Sequence, residues 1–332
     1  MIISTASQKK WIILLKFILA GFILWLLVKT AQLNLHLLTN ITHHSLLFLC
    51  FISIIFTIVF ITAWRWHLLS EVQNISLGLT KTIKPAYIAG AFNALLPGSV
   101  GGDVVRCHYV CKKIPERKST ILLTVFFDRL FGLMGILTTL CLAGLLHVSY
   151  IAQQPKLLYM LLLLLAACAS LITIILSLML LPPHLSLSAW LRRRFASNHL
   201  VSLIATYLEV FQQYRIPKKV LLKSVLISII VEYLLVTALL IIAKMMGLPA
   251  LDFSQVVLAL GMTLLVSVIP LTPGGIGVGE MAFANILLLF NPGSMIAYAT
   301  IYLAHRLLSM LAYLPALLFY IPKINWRQLK KS

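Results

Sequence analysis

The sequence is poor in charge and poorer still in acid. Asp, Glu, Lys and Arg make up 11% of its 332 residues, apolar residues make up 61%, and the mean hydropathy is +1.01, which excludes a water-soluble surface. Most of its helices must face lipid. Only 8 residues are Asp or Glu against 27 Lys or Arg, a net charge of +19. In a soluble protein that balance would point to nucleic acid. Here Lys and Arg fall in the gaps between apolar runs, so nucleic acid is set aside and the pattern reads as membrane orientation with attraction to anionic headgroups. The five cysteines are an odd number and lie mostly inside apolar runs, which excludes a disulfide framework. Cys107 and Cys111, with His108 between them, are too few ligands for a metal, and no cofactor motif is present. The first apolar run follows Lys9 and Lys10 without a small-x-small cleavage site before Lys29, so it is expected to be a retained span and not a signal peptide.

A spanning helix needs about 20 mainly apolar residues. Runs 11–28, 45–64, 120–146, 157–181, 220–243 and 297–321 meet or approach that length. Two further stretches, 85–96 and 253–271, run into glycine-rich turns and resume as shorter pieces, 104–110 and 281–290. Basic residues collect on the cytoplasmic side. With both termini inside and six spans, that side holds Lys9 and Lys10, the stretch 65–118, the stretch 192–219 and the tail 323–331, whereas the outer side holds only Lys29, Lys156 and Lys244. This threading makes 85–111 a re-entrant hairpin from the cytoplasm and 253–290 one from outside. Broken backbone at membrane depth is tolerated where it is buried in protein or lines a wet cavity, so both tips mark a site. The segment 184–218, with Arg192, Arg193 and Arg194 among apolar residues at near-helical spacing, is expected to be an amphipathic helix on the inner leaflet.

The two hairpins resemble each other. The first reads Leu96-Pro97-Gly98-Ser99-Val100-Gly101-Gly102-Asp103, the second Pro273-Gly274-Gly275-Ile276-Gly277-Val278-Gly279-Glu280. Each runs from proline through glycines to an acid. Asp128-Arg129 follows Asp103 at the interval by which His305-Arg306 follows Glu280, so one offset of 177 relates both sets. The expected architecture is an all-α, polytopic membrane protein, a single domain over 1–332. Its repeat halves, about 85–147 and 253–321, enter from opposite sides as an inverted repeat with a central site between the tips.

Ionisable side chains at membrane depth cost about 3 kcal/mol each to insert, so their retention implies a partner or a pathway. Asp103, Arg106, Asp128, Arg129, Glu280, His305 and Arg306 are the candidate substrate-binding residues, with Gly101, Gly102, Gly274 and Gly275 letting backbone approach a ligand. Arg129 and Arg306 offer planar forks suited to phosphate, and the helix start after each tip offers amide donors to an anion. His305 alone among them has an ordinary pKa suited to proton exchange near neutrality. The bland alternative is that Asp103 with Arg129, and Glu280 with Arg306, are buried pairs that hold helices together. Glu232 has no counterpart in the repeat and ranks below the others.

These motifs, with Asp128-Arg129-Leu130-Phe131-Gly132 between them, resemble those of the flippase-like family that includes the membrane region of lysylphosphatidylglycerol synthases, over nearly the whole chain. The resemblance implies a multi-pass inner-membrane protein that moves a lipid with a charged or modified headgroup between leaflets, with anionic or phosphate-bearing lipids and lipid-biosynthesis enzymes as partners. In the bifunctional synthases a soluble catalytic domain follows. Here only Pro322 to Ser332 follows the last apolar run, so the expectation is a transporter and not an enzyme. Val100-Gly101-Gly102-Asp103 misses the intramembrane aspartyl-protease signature at its first position, and no serine–histidine pairing supports a serine protease. A non-transporting partner of lipid synthesis is the alternative.

Overall fold

The computed structural model describes residues 18, 20–30, 33–75, 78–95, 101–153, 155–180, 190, 194, 216–268, 271–272, 275–294 and 296–318. Among them all regular secondary structure is helical, with no strand. In chain order the helices are α1 (Ala20–Lys29), a 3-10 segment Leu35–His43, α2 (Ser45–Val72), α3 (Leu79–Leu95), α4 (Gly101–Cys111), α5 (Lys118–Leu146), α6 (Val148–Ala152), α7 (Pro155–Leu180), α8 (Lys218–Met245), α9 (Phe253–Ser267), α10 (Val278–Phe290) and α11 (Tyr298–Leu318). Among the described residues, three helices are long and apolar enough to cross a membrane: Ser45–Val72, Pro115–Leu146 and Lys218–Met245. Their outer faces carry exposed apolar side chains a turn apart, such as Leu222, Leu226 and Ile230 on α8, as expected of helices that meet lipid. The expected amphipathic segment, the basic tail and both hairpin tips lie largely outside the described residues, as does Gly274.

The interior is organised around α8, which packs against α2 and α5 and more lightly against α9 and α11. Close approach of α5 and α8 depends on Gly135: a side chain there would place its Cβ 2.4 Å from Ser228 Cβ. Each broken segment then adds a helix–short helix–long helix series, α3–α4–α5 and α9–α10–α11, with α3 and α4 packed together and α9 and α10 packed together. Asp252 starts α9 by accepting Gln255 N–H at 2.9 Å, satisfying one of the free amides of the first turn.

Two boundaries differ from the sequence reading for physical reasons. The second apolar run, expected to end at Trp64, continues as helix to Val72, because the charge of Arg65 is matched inside the protein and does not force the chain out to water. Arg65 is therefore a buried residue, 6% exposed, and not the first cation of a cytoplasmic loop. The stretch expected from Pro85 begins six residues earlier at Leu79, with Pro85 inside the helix, where it removes one backbone hydrogen bond.

Candidate functional site

Charge accumulates where α2, α4, α5 and α8 meet. Asp128 is buried, 4% exposed, and is gripped from two sides: Arg65 Nε donates to Oδ1 at 2.8 Å and Arg106 Nη1 to Oδ2 at 3.0 Å. Arg65 Nη1 also donates to Ser228 Oγ on α8 at 2.6 Å, and that hydroxyl in turn donates a hydrogen bond to the Ser224 carbonyl at 2.7 Å. Arg106 lies with Cζ 4.5 Å from the Trp66 ring centroid, a desolvated cation over an indole face. Its Nη2 is 3.2 Å from Asp103 Oδ1, an ion pair without hydrogen-bond alignment. Asp103 in turn pairs with Arg129 Nε. Four helices are thus tied by one network of two acids and three arginines.

Arg129 differs from the other two arginines in access. Its side chain is 48% exposed, while Asp103 beside it is 12% exposed. It sits 11 positions after Lys118, about 16 Å along a straight helix, so it lies at membrane depth if α5 spans. On the same face of α5, one and two turns earlier, Phe126 and Leu122 are also exposed, at 52% and 49%. An accessible cation therefore ends an accessible apolar stripe.

The second broken segment builds a smaller version. Glu280, fully buried, closes the start of its own helix by accepting Gly277 N–H with Oε2 at 2.6 Å, and its Oε1 is 3.2 Å from Arg306 Nε. Gly277 takes φ +83° to make this turn, a conformation costly for a side-chain-bearing residue. Arg306 donates to the Gly275 carbonyl at 3.3 Å and lies over Tyr302, with Cζ 5.5 Å from the ring centroid. Its side chain is 14% exposed. Along the sequence the arginine follows the acid at the same interval in both segments, from Asp103 to Arg129 and from Glu280 to Arg306.

Asp103, Arg106, Asp128 and Arg129 thus form one cluster, and Glu280, Arg306 and Gly275 another. His305 joins neither: its ring stacks on Tyr302 at 6.1 Å and meets Phe51 edge-on at 6.0 Å. The position matching Asp128 therefore carries an aromatic contact in place of an ion pair. Gly101 opens α4. Gly102 makes room for protein: a Cβ there would lie 2.0 Å from the Ala89 carbonyl oxygen, and its N–H donates to Asn93 Oδ1 at 2.8 Å. The amides of Gly102 and Gly277 are taken by Asn93 and Glu280, so neither is left for an anion. Arg65 and Ser228 were missed from sequence. The signal that could have found Arg65 is the apolar helical pattern resuming at Leu68 and Leu69 beyond it.

Residues 13–316 match the family described as Lysylphosphatidylglycerol synthase TM region. No curated protein and no solved structure matches the chain.

Proposed function

The chain belongs to the lysylphosphatidylglycerol synthase TM region family, and from that premise we propose that it is a flippase-like transporter moving a phosphate-bearing lipid between the leaflets of the inner membrane. The observation that carries this reading is the exposure of Arg129 at the deep end of the Leu122 and Phe126 stripe. A lipid has that same division, with acyl chains suited to an apolar face and an anionic head suited to a guanidinium. Charged groups retained at membrane depth mark a partner or a pathway, and Arg129 keeps about half of its side chain exposed beside its partner Asp103.

In this reading the two broken segments are re-entrant hairpins of an inverted repeat, and Arg129 and Arg306 serve the headgroup in turn as the halves rock. Asp103 and Glu280 hold the arginines in place when no lipid is bound. Arg65, Arg106 and Asp128 form the fixed floor of the site, since each is buried and internally matched. The reading needs no catalytic residue. The completeness of the Asp128 pairing favours a second reading, a non-transporting partner of lipid-synthesis enzymes, in which all these charges serve packing alone.

The test is headgroup flipping in proteoliposomes, with fluorescent lipids bearing anionic, zwitterionic and lysyl-modified headgroups and a membrane-impermeant quencher. Protein-dependent flipping that ranks by headgroup supports transport. Absence of flipping for every headgroup, from folded protein, supports the partner reading.

A further inference from the structure

The end of α5 and the start of α9 meet in a further group of polar side chains, apart from both arginine clusters. His147 is the C-cap of α5 and Asp252 the N-cap of α9. His147 Nδ1 lies 3.2 Å from the Ala143 carbonyl oxygen. Ser254 Oγ lies 3.3 Å from His147 Nε2 and 3.5 Å from Nδ1, and Asp252 Oδ1 lies 3.9 Å from Nε2. The His147 side chain is 20% exposed and that of Asp252 53%, so the ring is sheltered while water reaches the carboxylate.

The arrangement of donors and acceptors favours a charged ring. The Ser254 hydroxyl has one proton and donates it to Asp252 Oδ1 at 2.6 Å, so toward the ring its oxygen can only accept. The Ala143 carbonyl and the Asp252 carboxylate are acceptors as well. Among the described residues no donor is directed at either ring nitrogen. A neutral imidazole has one bare nitrogen, which here would face oxygen lone pairs, whereas an imidazolium offers an N–H from both nitrogens. The last carbonyls of α5 add the negative end of a 29-residue helix, which also favours a cation.

Few other ionisable groups surround the ring. From α6 comes Tyr150, whose hydroxyl donates to the Leu289 carbonyl at 2.9 Å, and from the end of α10 comes Phe290, edge-on to the His147 ring at 5.6 Å. Helix α7 brings Tyr159 and, among its described side chains, no charge. His147 is the one charged group that acts on Asp252, whose carboxyl is held below the usual carboxylate range chiefly by the Ser254 hydroxyl. Asp252 therefore stays ionised at pH 5, above the ordinary Asp value of about 4. The location gives the contact its meaning. Helix α5 ends the series α3–α4–α5 and carries Asp128 and Arg129, while α9 begins the series α9–α10–α11, which carries Glu280 and Arg306.

We infer that His147, Ser254 and Asp252 form a proton-operated clasp: a proton on the ring holds the end of α5 to the start of α9, and its loss frees the two helix series to move against each other. Release breaks one N–H bond of the imidazolium and hands the proton to water, leaving a neutral ring beside the carboxylate. The clasp stands on its own geometry, while its restraint on lipid movement rests on the transport reading.

Thermal unfolding of the full chain in detergent tests the clasp, and flipping of anionic phospholipid in proteoliposomes, with equal pH on both sides, tests the restraint. Histidine changes charge between about pH 5 and pH 8, so the pairing stabilises at the lower pH and is lost as pH rises. Asp252→Asn keeps an oxygen to cap α9 and removes the charge, and should lower the unfolding midpoint more at pH 5 than at pH 8. In a His147→Gln background the same substitution should cost equally at both. Wild-type flipping should be about two- to five-fold slower at pH 5, the factor that an exposed ion pair allows, and His147→Gln should flip at one rate. An Asp252→Asn effect indifferent to pH, or a pH dependence that survives His147→Gln, overturns the clasp. If His147→Gln does not fold, the Asp252→Asn effect at the two pH values decides. A clasp seen in unfolding with flipping indifferent to pH overturns the restraint. No flipping at either pH, from folded protein, overturns the transport reading and the restraint with it, and leaves the clasp to the unfolding result.

Discussion

Arg65 and Asp128 lie 63 positions apart, yet Arg65 Nε meets Asp128 Oδ1 at 2.8 Å with both side chains buried. Removing one member of such a pair leaves an uncompensated charge, while removing both is far milder. Asp128→Asn, which strands Arg65 and leaves Arg106 only its Asp103 pairing, is expected to cost about 3–5 kcal/mol. The double variant Arg65→Met with Asp128→Asn should recover part of that loss. Thermal unfolding in detergent, read as a double-mutant cycle, checks both expectations.

Close packing yields a prediction graded by neighbour. At Gly102 an added Cβ would lie 2.0 Å from a backbone oxygen, at Gly135 it would lie 2.4 Å from Ser228 Cβ, and at Gly132 its nearest neighbour is Arg65 Nη2 at 3.7 Å. Alanine at Gly132 should be neutral or stabilising by up to about 1 kcal/mol, the helix-propensity gain. Alanine at Gly135 should cost about 1–3 kcal/mol through overpacking, and Gly102→Ala should cost at least as much because a carbonyl cannot swing aside. Melting temperatures of the three variants give the order.

The two acid–arginine pairs could be read in the sequence because spacing alone exposes a repeat: an acid after each glycine run and an arginine at one fixed interval. Arg65 could not be placed so easily. It stands at the edge of an apolar run, where a cation ordinarily marks the membrane boundary, and its partners Asp128 and Ser228 are distant in sequence. Gly102 shows the opposite failure, since a glycine that admits a neighbouring helix and one that admits a ligand look alike in sequence.

Outside the three long apolar helices, the Ser254 hydroxyl donating at 2.6 Å holds the Asp252 carboxyl below the usual carboxylate range, with the Gln255 amide adding to the effect. A carboxyl lowered on folding contributes stability above its unfolded value that is lost as pH falls through the folded value. Replacing Asp252 with Ala should cost about 1 kcal/mol near neutral pH, the worth of a helix cap. The difference from wild type should shrink as pH drops below the ordinary Asp value of about 4. Unfolding of the two proteins across that range is the check.

The central claim is that Arg129 meets the headgroup and is more than a packing partner of Asp103. The variant Asp103→Asn with Arg129→Gln removes both charges of the pair, so it should unfold close to wild type, and its flipping of anionic phospholipid in proteoliposomes is the measurement that decides. Flipping reduced to the protein-free rate, with folding preserved, is the predicted result. Flipping at the wild-type rate would contradict the account and leave the Asp103–Arg129 pair a structural contact alone.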